Sequence, residues 1–120
     1  MQFIITFFTK EIKVTQVDND ITNAETTDFE FSKIWNDIGS NPTTWPEGAT
    51  ITVTMNAYTE TSQKAVDDVQ VTLSAEGSAA GVTPAWTATL NADETVTTFK
   101  VEGLSKYQDG KELHYYVTET

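Results

Sequence analysis

The sequence predicts an all-β sandwich, and three observations carry that prediction. Thr and apolar residues alternate in runs such as Thr50-Ile51-Thr52-Val53-Thr54-Met55, the period-2 pattern of half-buried strands. No segment holds a helical period across three turns. Clusters of Gly, Asn, Asp and Pro divide the chain into short pieces, and several short strands at such spacing indicate a sandwich.

In chain order, strands are expected over 2–8, 10–17, 28–36, 50–58, 68–74, 85–90, 95–101 and 112–119. The opening apolar run, Phe3-Ile4-Ile5-Thr6-Phe7-Phe8, is too short to span a bilayer and lacks the basic flank and small-residue cleavage site of a signal peptide, so it reads as a strand. Residues 18–27 read as a linker, which divides the chain into an N-terminal strand or hairpin with its linker over 1–27 and one module over 28–120. Turn chemistry follows each later strand. Asn36-Asp37-Ile38-Gly39-Ser40-Asn41-Pro42 ends the first, residues 75–84 form a soft Ala/Gly/Ser loop, and Asp109-Gly110 sets a tight turn into the last strand.

A length of 120 residues fits one domain. Six Phe, four Tyr and three Trp supply a core. A net charge of −11 at pH 7 repels phosphate backbones and anionic headgroups, so nucleic acid is a poor partner and this fragment is not expected to insert into a membrane. The chain has no Arg, which removes bidentate anion recognition, and no Cys, which removes disulfides, thiolate nucleophiles and Cys-ligated zinc. No cofactor is implied. His114, the single histidine, is expected to face outward, leaving little material for a catalytic triad or a zinc site. Asp67-Asp68 and Asp18-Asn19-Asp20 fit no EF-hand spacing and read as solvated turn charges. Trp45 and Trp86 read as core or loop anchors before they read as a sugar-stacking platform.

Strand alternation assigns the faces of the two outermost strands of the module. Over 29–35, Phe29, Phe31, Lys33 and Trp35 share one face, so the lysine falls in phase with three aromatics and is expected to point into the core. In the last strand Leu113, Tyr115, Val117 and Glu119 are in phase, and a carboxyl group joins that apolar face. A charge buried alone costs several kcal/mol, so two inward ionisable groups imply a pair. The chemical reading of that pair is an amine nucleophile with a carboxyl group that polarises a carbonyl and relays protons. The plain reading is a salt bridge, or a lysine whose stem packs on the aromatics.

The segments Phe31-Ser32-Lys33-Ile34-Trp35-Asn36-Asp37 and Trp45-Pro46-Glu47-Gly48-Ala49-Thr50-Ile51-Thr52-Val53 resemble the K-x-W-x-D and R-P-x-x-I-x-V openings of Cna B-type domains. Thr98 to Tyr107 and Asp109 to Glu119 resemble the closing T-F-x-x-L-P-K-Y-D-x-x-G-x-E-x-x-Y-x-V-x-E block of the same family, and the resemblance covers about residues 28–120. It implies an immunoglobulin-like β-sandwich. It also implies an intramolecular isopeptide bond, in which Lys33 matches the lysine and Glu119 the assisting glutamate. Two departures stand out. Trp45 replaces the usual Arg, and the family's asparagine would come on a strand beyond Thr120. Asp20-Ile21-Thr22-Asn23 resembles the I-T-N of that final strand, making Asn23 the candidate acceptor and residues 1–23 either the tail of a preceding repeat or a strand filling the vacant place.

The expected function is a non-enzymatic stalk or spacer of a Gram-positive cell-wall-attached adhesin or pilin at the cell surface. Its expected partners are neighbouring repeats and, through the parent protein, host extracellular matrix. The alternative is a module that binds a host protein or glycan through loops or exposed aromatics.

Overall fold

The computed structural model describes residues 24–120; the strands expected over 2–8 and 10–17, the Asp18-Asn19-Asp20 cluster and Asn23 lie outside the described residues. The described chain consists of strands and turns, without a helix. Ten strands follow one another: β1 (Thr26–Asn36), β2 (Pro42–Thr43), β3 (Ile51–Tyr58), β4 (Val69–Ser74), β5 (Gly77–Ser78), β6 (Trp86–Leu90), β7 (Val96–Ser105), β8 (Tyr107–Gln108), β9 (Lys111–Glu112) and β10 (His114–Glu119). One sheet has the order β2-β1-β7-β6, the other β10-β3-β4-β5, and β8 pairs with β9 alone. Every pairing is antiparallel.

The core forms where the alternating faces of the two sheets meet. Ile51, Val53, Met55, Val71 and Leu73 of one sheet face Trp86, Phe99, Val101 and Leu104 of the other, removing apolar area from water as sandwich cores do. Phe29, Phe31, Trp35, Trp45, Tyr115 and Val117 pack around them. The expected Asp-Gly turn forms, with Asp109 at φ 51° and Gly110 at φ 79°, the left-handed pair a two-residue hairpin needs, but it joins the short strands β8 and β9 rather than leading straight into the last strand, which starts at His114.

Two local expectations change, and one polar residue is buried by the tertiary structure. β1 begins at Thr26, two residues early, and β7 continues to Ser105 past a bulge opposite Thr27 and Phe29. The segment expected to be a soft loop contains β5, whose Gly77 lies so close to β6 that a Cβ there would sit 2.4 Å from the Trp86 carbonyl oxygen. Asn56 is buried although it belongs to the outward phase of β3. The loop 59–68 covers it: Asn56 Nδ2 donates to Asp68, and the Ala65 N–H donates to the Ala57 carbonyl at 2.7 Å. Asp68 is thereby engaged by an amide, and among the described residues no group of three or more His, Asp or Glu side chains is arranged to hold a metal ion.

Candidate functional site

β1 and β10 lie in different sheets on the same side of the sandwich. Among the described residues β1 has β7 along its length and β2 at Trp35 and Asn36, and β10 pairs with β3. They run in the same direction. Ser105, the partner of Thr26 at the start of β1, receives a hydrogen bond of 2.8 Å from the Tyr115 hydroxyl near the start of β10. At the far ends, Lys33 meets Glu119.

Lys33 Nζ donates to both carboxylate oxygens of Glu119, at 3.0 and 3.2 Å. It also stands 4.7 Å from the centroid of the Trp35 ring, within range of a cation–π interaction. Trp35 in turn meets Trp45 edge-on at 5.3 Å, and Trp45 meets Phe99 at 5.8 Å, so the lysine rests on an aromatic ladder descending into the core. The Trp35 Nε1 is buried without a hydrogen-bond partner among the described residues.

The phase assignment of both side chains holds, and the depth is corrected. Lys33 shares its face with Phe29, Phe31 and Trp35, yet its side chain is 22% exposed and that of Glu119 46%. A strand pair at the open edge of a sandwich covers the side chains between its sheets from one flank only. The lysine stem therefore packs on Trp35 while its ammonium stays at the water boundary. The arrangement sets an amine against both oxygens of a carboxylate and links the two sheets through that ion pair.

Tyr115 forms the second link on this side, and desolvation raises its phenol above the ordinary value. Sequence reasoning missed this residue as a bridge, although its place in phase with Glu119 was available as a signal. Trp86 is buried, and the Trp45 indole N–H is tied to the Ala49 carbonyl at 2.8 Å, so both serve as anchors. His114 is exposed as expected.

Two antiparallel sheets closed over one core, with a lysine and a carboxylate facing each other at the open side, define an immunoglobulin-like structural module. The model of the Cna protein B-type domain family matches residues 56–120, more than half of the chain, and the chain belongs to that family. The family is one of structural, non-catalytic modules carried by surface-anchored proteins. No curated protein and no solved structure gives a significant match.

Proposed function

We propose that the chain is a spacer module of a Gram-positive cell-wall-attached surface protein, an adhesin or pilin, acting outside the cell among neighbouring repeats and reaching host extracellular matrix through its parent protein. In this reading Lys33 and Glu119 are the amine and the proton relay of an amide crosslink to an asparagine on a strand laid along the free edge of β1. The two-oxygen contact of Lys33 with Glu119 between the sheets carries the reading. The parallel run of β1 and β10 supports it as well, since the module takes in its chain at one end and releases it at the other.

The chemistry needs the free amine. The Lys33 ammonium first gives one proton to water; the neutral amine nitrogen then attacks the asparagine carbonyl carbon, Glu119 takes a second proton from the attacking nitrogen and passes it to the departing NH2 group, the C–NH2 bond breaks, and ammonia leaves.

Asn23 serves a different module in this reading. Lys33 lies seven residues beyond Thr26 in an extended strand, roughly 23 Å away, whereas the three residues from Asn23 to Thr26 span at most about 11 Å. The remaining gap of about 12 Å exceeds the roughly 9 Å that a lysine–asparagine link covers. Residues 1–23 then act as the tail of a preceding repeat, and Asn23 completes that repeat's crosslink.

Intact-mass analysis of the 120-residue chain mixed with a synthetic peptide of residues 10–23 tests both parts. The expected product is the summed mass less one ammonia, about 17 Da, absent with Lys33→Ala and strongly reduced with Glu119→Ala. No adduct with the unsubstituted chain would sink the crosslink. A Lys33–Asn23 link within a single chain would overturn the assignment of residues 1–23.

A further inference from the structure

The outward face of β3 and β10 carries an aromatic platform that neither the core nor the Lys33–Glu119 pair uses. Tyr58 and His114 are cross-strand partners with rings stacked at 5.1 Å and 28°, and Tyr116 lies 6.2 Å from Tyr58 on the same face. Tyr58 is 46% exposed. The loop 59–68 fixes one border, because the Tyr116 hydroxyl donates to the Gln63 carbonyl at 3.2 Å, and Tyr58, Gln63 and Tyr116 line a shallow cleft. The rings are held in place by strand pairing and by this loop, so little ordering remains for a partner to impose.

Two observations select the chemistry of that partner. A net charge of −11 opposes a second copy or any polyanion and draws cations toward the module. Among the described residues two other aromatic rings already carry a lysine: Lys106 Nζ stands 5.7 Å from the exposed Tyr107 ring and Lys33 Nζ 4.7 Å from Trp35. Among the described residues neither Tyr58 nor Tyr116 has such a cation, and their ring faces carry the negative quadrupole that attracts one. We propose that Tyr58, His114 and Tyr116 form a docking surface for a cationic polypeptide segment whose Lys or Arg side chains lie over the tyrosine rings. Lys64, the sequence neighbour of Gln63 in the bordering loop, is the like charge that limits its affinity. This inference goes beyond the spacer reading and stands without it.

Amide-resolved NMR titration of the 120-residue chain at low ionic strength, with an octapeptide of alternating Gly and Arg, tests it. Saturable shifts concentrated at Tyr58, Gln63, His114 and Tyr116 are expected. Tyr58→Leu, which keeps an apolar side chain but removes the ring, should weaken binding about threefold to fivefold, and Lys64→Gln should tighten it about twofold. Tyr107→Ala should leave it unchanged. Shifts spread over the acidic surface with no preference for the platform, or a Tyr58→Leu variant that binds as well as the parent, would overturn the proposal. So would a neutral oligosaccharide, maltohexaose, that binds the platform more tightly than the peptide.

Discussion

The two long sides of the sandwich are closed in opposite ways. On one side β5 and β6 meet at backbone distance. Gly77 lets the Trp86 carbonyl come close, and the Ser78 hydroxyl receives the Trp86 N–H at 2.9 Å and donates to its carbonyl at 3.4 Å. On the other side β1 and β10 are linked across the sheets by side chains, Lys33 to Glu119 at one end and Tyr115 to the Ser105 carbonyl at the other. The first closure is short and intolerant of added atoms. The second is polar and half-exposed, and it keeps the Lys33 amine at the water boundary.

Substitutions should separate the two sides by size of effect. Gly77→Ala puts a methyl group against a backbone oxygen at a residue with φ 102°, and should cost about 2–4 kcal/mol in denaturant unfolding. A loss under about 0.5 kcal/mol would mean that β5 moves away from β6 freely. Ser78→Ala leaves the Trp86 N–H without its hydroxyl partner and should cost about 1–2 kcal/mol.

On the open side, Tyr115→Phe removes one hydrogen bond and should cost about 1 kcal/mol at neutral pH. The phenol is raised by desolvation, so its contribution is fully present below the ordinary tyrosine value and is lost as pH rises through the higher folded-state value. The parent should lose stability on the alkaline side more steeply than the Phe variant. Lys100, raised mainly by its hydrogen bond to Glu102 and then by the charges of Glu102 and Asp28, titrates in the same direction and is common to both proteins, so their difference isolates Tyr115. Glu119→Gln should have the smallest effect, under about 1 kcal/mol and shrinking with added salt, because a half-exposed ion pair is screened by water and ions. A larger, salt-insensitive loss would show that the open side is tighter than its exposure indicates.

The main strands were legible because each carries an inward face of period 2, as in Ile51, Val53, Met55 and Ala57 or Phe99 and Val101. The two-residue strands β2 and β5 were not, since a pair of residues has no period. The candidate site was legible as to the face on which each side chain lies. Its depth was not, because alternation states the direction of Lys33 but not how many elements cover it from outside. The Tyr58–His114 stack was invisible for a similar reason: it needs the register of β10 against β3, which no local pattern of either strand contains.

By itself, then, the sequence determined the all-β class, the Asp109-Gly110 hairpin, the anionic surface and the phase that puts Lys33 with the aromatics of β1 and Glu119 with Tyr115 of β10. These are properties of neighbouring residues, set by backbone geometry and charge. Only the tertiary structure decided that Lys33 and Glu119 touch, that they do so at the water boundary, that Gly77 marks the tight closure, and that the loop 59–68 buries Asn56. Each of those depends on segments distant in the chain arriving at one place, and the relative placement of two sheets is set by the packing of the whole core.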